Sequence, residues 1–136
     1  MKKNKRKIAV FTGNRAEYGL QLPLLMAIKD IPHLEYKLIV SGAHLDSNFG
    51  STLDEIKSDG FLVDAEIKLS EFNNVRIDTP VAIGGGVIEI SKALDLINPD
   101  ILVVYADRFE GFAAVIAGTQ MNIRSEEHTS ELQSRE

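Results

Sequence analysis

Asp107 is the side chain best suited to acid or base chemistry in this sequence, because it follows an apolar run in the segment 105–110, Tyr-Ala-Asp-Arg-Phe-Glu. A carboxylate beside an arginine and ahead of a helix has neighbours that can tune its pKa for proton transfer. The position equally suits a helix cap with Arg108 on the surface, so both interpretations stay open.

Arg15 lies in a second polar segment, residues 12–20, with the sequence Thr-Gly-Asn-Arg-Ala-Glu-Tyr-Gly-Leu. The segment lacks the G-x-G-x-x-G spacing of dinucleotide-binding turns and the Gly-Lys-Ser/Thr ending of a P-loop, which disfavours NAD binding and ATP hydrolysis. A glycine turn that opens a helix still offers unpaired N–H groups, and an arginine in the first turn adds a forked donor for phosphate. On this pattern, anion binding and pairing of Arg15 with Glu17 or solvent both stay open.

His44 follows the strand-like run at residues 36–40, in the segment Ser-Gly-Ala-His-Leu at residues 41–45. A histidine there can bind phosphate or move protons, although a lone histidine in a loop more often has a structural role. The run Gly84 to Gly86 resembles a phosphate loop, but it lies in a helical pattern without a following lysine, which favours close helix packing.

The sequence has no cysteine. Thiolate catalysis and cysteine metal sites are therefore excluded, and we expect neither a metal nor a cofactor.

Strand-like and helix-like segments alternate along the chain. Strands are predicted at 7–11, 36–40, 61–67 and 101–105, and helices at about 16–29, 52–58, 80–97 and 109–119. Pro23 is expected to kink or restart the first helix. Repeated β–α units imply a parallel sheet covered by helices on both faces, a Rossmann-like doubly wound α/β fold. Such sheets bind ligands beyond the carboxyl ends of their strands, where the three polar segments fall.

The composition places the chain among ordinary globular proteins. Its 136 residues are 44% hydrophobic, and its net charge is −5. The negative charge does not favour nucleic acid, and no apolar run approaches the roughly 18 residues of a membrane span. We therefore expect a cytoplasmic protein with no nucleic-acid or membrane partner.

The end of the sequence differs from the rest. Residues 121–123 resemble the entry to a fifth strand, but residues 124–134, Arg-Ser-Glu-Glu-His-Thr-Ser-Glu-Leu-Gln-Ser, show no strand periodicity. They resemble, in order, the translation of a common sequencing-library adapter. The expected organisation is a truncated Rossmann-like domain at 1–123 and a non-native tail at 124–136, with a genuine acidic helical tail as the alternative.

Several ordered motifs together resemble the hydrolysing UDP-N-acetylglucosamine 2-epimerases. The matching pieces are residues 12–20 and 41–45, then Phe-Gly-Ser-Thr at 49–52, Glu-Ile at 55–56, Asp-Gly-Phe at 59–61, Pro-Asp at 99–100 and Asp-Arg-Phe-Glu at 107–110. The Arg-Ala-Glu-Tyr-Gly form looks like the hydrolysing branch, whereas the other branch usually has Arg-Pro-Glu. The resemblance implies the N-terminal half of a two-domain GT-B-type fold that acts on UDP-N-acetylglucosamine and forms a homo-oligomer at full length.

The same resemblance implies roles for the site residues. Arg15 would help to hold the UDP phosphates, His44 would line the sugar–phosphate site, and Asp107 would be an acid/base carboxylate. Arg108 and Glu110 match the motif in a supporting role. Because the family's second domain is missing, the chain alone is expected to be inactive. Two other classes stay open, namely the acceptor domain of a two-domain glycosyltransferase and a non-catalytic flavodoxin-like module.

Overall fold

A five-stranded parallel sheet organises the chain. The structure is a computed structural model that describes residues 5–41, 52–69, 75–105 and 108–128. Its strands are β1 (Arg6–Thr12), β2 (Leu34–Ser41), β3 (Ala65–Ile67), β4 (Ile101–Tyr105) and β5 (Arg124–His128). Its helices are α1 (Arg15–Asp30), α2 (Thr52–Ser58), α3 (Asp78–Ile97) and α4 (Phe109–Gln120).

The strand order β3-β2-β1-β4-β5 confirms the predicted doubly wound α/β fold. The chain first builds outward from β1 to β3 and then returns to the other side of β1 with β4 and β5. The order therefore reverses between β1 and β4. In sheets of this kind the ligand crevice lies at that reversal, beyond the carboxyl ends of the strands.

Each face of the sheet carries its own apolar core, because neighbouring residues of a strand point to opposite faces. Ala9 and Phe11 of β1 pack in the cluster that includes α3 and α4. Val10 of β1 packs in the other cluster, which includes Tyr18 and Leu25 of α1 and residues near α2. The central strands are covered on both sides, as parallel strands require.

Helix α1 runs without interruption through Pro23, so the predicted restart at this residue is wrong. Proline removes one intrahelical hydrogen bond to the carbonyl of Gly19. Both residues are exposed, so water can hydrate that carbonyl. The opposite face, with Gln21, Leu25 and Ile28 buried, keeps a regular helical spacing against the sheet.

Two strands differ from the sequence prediction. β3 spans Ala65–Ile67 and is shorter than the predicted strand at 61–67. Just before it, Asp64 makes a side-chain contact with β2, since its carboxylate accepts a hydrogen bond from the Leu38 amide at 2.8 Å.

Arg124–His128 form β5, paired in parallel with β4, so the expected absence of a strand after residue 123 is wrong for this segment. A parallel partner supplies main-chain hydrogen bonds that require no apolar alternation.

Close helix packing, which the sequence analysis favoured for the run Gly84 to Gly86, explains one of these three glycines. Gly86 lies within α3, and a Cβ added to it would be 3.1 Å from the Cβ of Ala113 on α4. The phosphate-loop alternative is set aside, because the glycines lie within a continuous helix.

Candidate functional site

The turns that follow β1 and β4 lie at the reversal of the strand order. β1 ends at Thr12 and α1 begins at Arg15, while β4 ends at Tyr105 and α4 begins at Phe109. The two strands are paired directly, with Phe11 opposite Val104. The short connections therefore bring the starts of α1 and α4 to the same edge of the sheet.

Asn14 caps α1 and fixes the direction in which the helix begins. Its side-chain oxygen accepts a hydrogen bond from the Glu17 amide at 2.9 Å, as in a standard N-cap. The buried Gln21 then donates from Nε2 to the carbonyl oxygen of Phe11 at 2.9 Å, which ties α1 to the end of β1. The first-turn amides of Arg15 and Ala16 belong to the group that has no intrahelical acceptor.

Arg15 extends from the first turn of α1 into solvent. Its side chain is 73% exposed, and its Nε lies 3.3 Å from Oε1 of Glu55 on α2. The alternative pairing with Glu17, left open by the sequence, is not the contact that the structure shows. An exposed guanidinium beside amides that have no intrahelical acceptor can bind a phosphate group.

Glu17 turns away from Arg15 and into the protein. Its side chain is buried, with Oε1 accepting from the Gly13 amide at 2.7 Å and Oε2 accepting from Nδ2 of Asn14 at 3.3 Å. A glutamate three residues after an asparagine cap is the sequence signature of a capping box, which could have predicted this inward orientation. Glu17 thus stabilises the turn after β1.

Arg108 and Glu110 form a two-pronged ion pair at the start of α4. Arg108 donates from Nε to Oε1 of Glu110 at 2.9 Å and from Nη2 to Oε2 at 3.2 Å. Glu110 is buried, whereas half of the Arg108 side chain is exposed. The hydrogen bond to Glu110, together with the charges of Glu110 and Glu17, raises the pKa of Arg108. Arg108 is therefore a permanent cation at this edge.

Tyr18 makes a contact that the sequence did not predict. It is buried on α1, and its hydroxyl donates to Oδ2 of Asp59 at 2.6 Å. Burial, with the hydrogen bond to Asp59, raises the pKa of Tyr18. This bond and the Arg15–Glu55 pair both join α1 to the segment that contains α2.

The structure brings three of the five predicted site residues to one edge of the sheet, namely Arg15, Arg108 and Glu110. His44 and Asp107 lie outside the described residues. Within the described ranges no group of three or more histidine, cysteine, aspartate or glutamate side chains is placed to hold a metal. In those same ranges no helix is long and apolar enough to cross a membrane.

A separate open cavity of about 520 Å³ lies between the β3 edge and α3. It is lined by Glu66, Lys68, Gly85, Ile88 and Glu89. The three described site residues do not line it, so it is distinct from the edge formed by the starts of α1 and α4.

Known proteins resemble this chain in sequence. A Legionella pneumophila protein named UDP-N,N'-diacetylbacillosamine 2-epimerase (hydrolyzing) is 33% identical, over 87% of this chain and 31% of its own length. The Escherichia coli polysialic acid biosynthesis protein P7 is 30% identical, over 87% of this chain and 30% of its own length. The chain thus spans about a third of the length of the curated relatives that it matches.

Solved structures and the family profile agree with those relatives. The Methanocaldococcus jannaschii UDP-GlcNAc 2-epimerase, in complex with UDP-GlcNAc and UDP, matches the fold with a TM-score of 0.74 at 19% identity, covering 89% of this chain and 32% of that one. The profile of the UDP-N-acetylglucosamine 2-epimerase family matches residues 26–126. Because that match covers most of the sequence, the chain belongs to the UDP-N-acetylglucosamine 2-epimerase family.

Proposed function

We propose that this chain is the N-terminal part of a hydrolysing UDP-N-acetylglucosamine 2-epimerase that works in the cytoplasm and forms a homo-oligomer at full length. The reaction converts UDP-N-acetylglucosamine and water to N-acetylmannosamine and UDP, as in sialic-acid-type biosynthesis. Family membership supports it, as do a relative named as hydrolyzing and a relative named for polysialic acid biosynthesis.

The proposed chemistry has two stages. A base removes the proton from C2 of the sugar while the bond from C1 to the UDP oxygen breaks, which leaves UDP and a glycal. Water then adds its hydroxyl to C1 and a proton returns to C2 on the opposite face, so that the configuration at C2 is inverted. Asp107 is proposed as an acid/base group in these proton transfers.

Among the described residues, Arg15 provides the main support for the proposal that the chain binds a nucleotide sugar. Its exposed guanidinium lies at the N-terminus of α1, at the reversal of the strand order. That location suits the diphosphate of the substrate. His44 is proposed to line the neighbouring sugar–phosphate site, with Arg108 and Glu110 in supporting roles.

A second candidate substrate is UDP-N,N'-diacetylbacillosamine, which the name of the Legionella pneumophila relative favours. Both substrates carry the same diphosphate and undergo inversion at C2, so the proposed roles do not change. Competition between the two nucleotide sugars for binding would rank them. Because the chain covers about a third of its relatives, we propose that it has no turnover alone.

Residues 124–136 are proposed to be a non-native tail that follows a truncated domain at 1–123, because residues 124–134 resemble a translated adapter. Sequencing of the source locus past the codon for Ile123 tests this proposal. Codons unrelated to Arg124–Glu136 are expected there. A locus that encodes this same segment would contradict the proposal.

Replacement of Arg15 tests the binding proposal directly. Arg15→Ala is expected to weaken the binding of UDP about tenfold, since one charged hydrogen-bond donor contributes roughly 1.5 kcal/mol. The measurement is a titration of the ¹⁵N-labelled chain by NMR, which detects millimolar affinities. Arg6→Ala is the matched control, because Arg6 is an exposed arginine at the opposite end of β1. Equal affinities for all three chains would refute a role for Arg15.

A further inference from the structure

Gly13 lies between two buried carboxylates that belong to different helices. Glu17 of α1 is 5% exposed and Glu110 of α4 is 2% exposed. A Cβ added to Gly13 would lie 3.3 Å from Oε1 of Glu17 and 3.4 Å from Cβ of Glu110. The absence of a side chain at Gly13 therefore allows the start of α4 to approach the turn after β1.

Two buried carboxylates so close together need compensation, because an unpaired buried charge is strongly destabilising. Arg108 supplies it. Arg108 donates one hydrogen bond to each carboxylate oxygen of Glu110, and the charge of Glu17 contributes to the raised pKa of Arg108. Glu17 in turn accepts the Gly13 amide at 2.7 Å. The ion pair of α4 and the hydrogen bonds of the turn after β1 thus meet at Gly13, where an added Cβ would lie 3.3 Å from Oε1 of Glu17 and 3.6 Å from Cδ of Glu110.

We propose that Glu17, Arg108 and Glu110 form a charge clamp across Gly13 and act as positioning residues for the turn between β1 and α1. The clamp spans the reversal of the strand order, where β1 and β4 are neighbours. It also assigns the backbone donors. The Gly13 amide is engaged by Glu17 and is not a donor for a diphosphate, whereas the first-turn amides of Arg15 and Ala16 have no intrahelical acceptor. This last step rests on the proposed function, whereas the clamp itself does not.

The amide resonance of Gly13 is a spectroscopic signature of the clamp. In the ¹⁵N-labelled 136-residue chain, Glu17→Gln is expected to shift it upfield, because a carboxylate polarises an N–H more strongly than an amide oxygen does. Arg108→Gln and Glu110→Gln are expected to shift it as well, although neither contacts the Gly13 amide. Glu89→Gln is the matched control, since Glu89 is an exposed glutamate in an ion pair with Lys92. A Gly13 resonance that moves in neither Arg108→Gln nor Glu110→Gln would overturn the clamp.

Thermal unfolding of the same variants separates charge compensation from a general loss of packing. Arg108→Gln leaves two buried carboxylates without their cation, so it is expected to lower the Tm more than the double variant Arg108→Gln/Glu110→Gln, which removes one of them. A double variant that is less stable than Arg108→Gln would count against shared compensation.

Titration with inorganic pyrophosphate tests the positioning role. Each single clamp variant is expected to bind it about fivefold to tenfold more weakly, as for coupled neighbouring residues. If Glu110 instead competed with pyrophosphate for Arg108, Glu110→Gln would bind more tightly, and the positioning role would be wrong. If pyrophosphate moved no resonance near Arg15 in the unmodified chain, the proposed function would fail, and the clamp would still be judged by Gly13.

Discussion

Arg15 is held by an ion pair with which a bound phosphate must compete. Its Nε lies 3.3 Å from Glu55, and the Arg15 and Glu55 side chains are 73% and 42% exposed. Exposed pairs of this kind contribute about 0.2–1 kcal/mol, so the pair is easily exchanged for a stronger partner. A diphosphate offers more acceptors and more charge than one carboxylate does.

Glu55→Gln is accordingly expected to tighten UDP binding about twofold to threefold, because the competing charge is removed. NMR titration of the labelled chain measures the change. Asp54→Asn is the matched control, since Asp54 is an exposed neighbour on α2 and its loss changes the net charge equally. The same gain in both variants would indicate a long-range charge effect, and weaker binding by Glu55→Gln would mean that Glu55 positions Arg15.

The hydrogen bond from Tyr18 to Asp59 makes stability depend on alkaline pH. The pKa of Tyr18 is raised in the folded chain, so its neutral form is favoured there. This contribution is complete below about pH 10, the value of an unfolded tyrosine, and is lost as the pH rises from there towards the folded pKa. In that window the unfolding free energy is expected to fall by up to about 1.4 kcal/mol per pH unit.

Tyr18→Phe should remove that part of the pH dependence while lowering stability by about 1.5–3 kcal/mol at neutral pH, the range for a hydrogen bond to a charged group. Urea unfolding at pH 7 and at several values between pH 9.5 and 11 provides the comparison. A parallel decline of both proteins above pH 10 would show that Tyr18 is not the responsible group.

The sequence predicted single residues well where local chemistry decided the outcome. Arg15 could be placed at a helix start because a glycine turn precedes it, and the structure places it there. The inward turn of Glu17 follows from its local capping-box spacing, whereas the approach of Glu110 to Gly13 is a tertiary contact about a hundred residues away in sequence. The pairing of Tyr18 with Asp59 likewise joins distant segments, so no local pattern could identify it.

At the scale of the elements, the alternation of strand-like and helix-like segments predicted a doubly wound parallel sheet and the approximate positions of the helices. The two wrong predictions, at Pro23 and after residue 123, were made where packing or strand pairing outweighed the local sequence pattern. Pro23 does not restart α1, because the buried face of the helix continues on both sides of it. Residues 124–128 pair with β4 despite their charges, because a vacant strand edge offers main-chain partners to almost any sequence.

The triple glycine of α3 allows a direct test of helix packing at this scale. Among the described residues, no atom lies within 4 Å of a Cβ added to Gly84, so Gly84→Ala is expected to stabilise the chain by about 0.5–1 kcal/mol. At Gly86 an added Cβ would meet the Cβ of Ala113, which is fixed to the backbone of α4. Gly86→Ala is therefore expected to destabilise the chain by about 1 kcal/mol or more.

Urea unfolding of the two variants provides the measurement, and each serves as the control for the other, since the same methyl group is added to the same helix. A stabilised Gly86→Ala variant would mean that α3 and α4 are less closely packed than the structure indicates.

For the whole molecule, the proposed function assigns one half of a ligand site to the described chain. The starts of α1 and α4 meet at the reversal of the strand order, with an exposed arginine and a charge clamp at that edge. In a two-domain enzyme a cleft at this edge would be closed by the second domain. The relatives are about three times longer than the matched segment, which leaves room for such a domain.

Lack of turnover by the 136-residue chain is the prediction that belongs to this scale. Incubated with UDP-N-acetylglucosamine in D₂O, the chain is expected to release neither UDP nor N-acetylmannosamine above a buffer blank, as followed by ³¹P and ¹H NMR. One domain can hold the diphosphate but cannot surround the sugar, and catalysis depends on groups placed on both sides of the reacting bond. A full-length enzyme of the family provides the positive control. The prediction would be contradicted if the chain released UDP, if Asp107→Asn abolished that release, and if the control variant Asp100→Asn, at the opposite end of β4, retained it. Such a result would place the whole acid/base chemistry on this single domain.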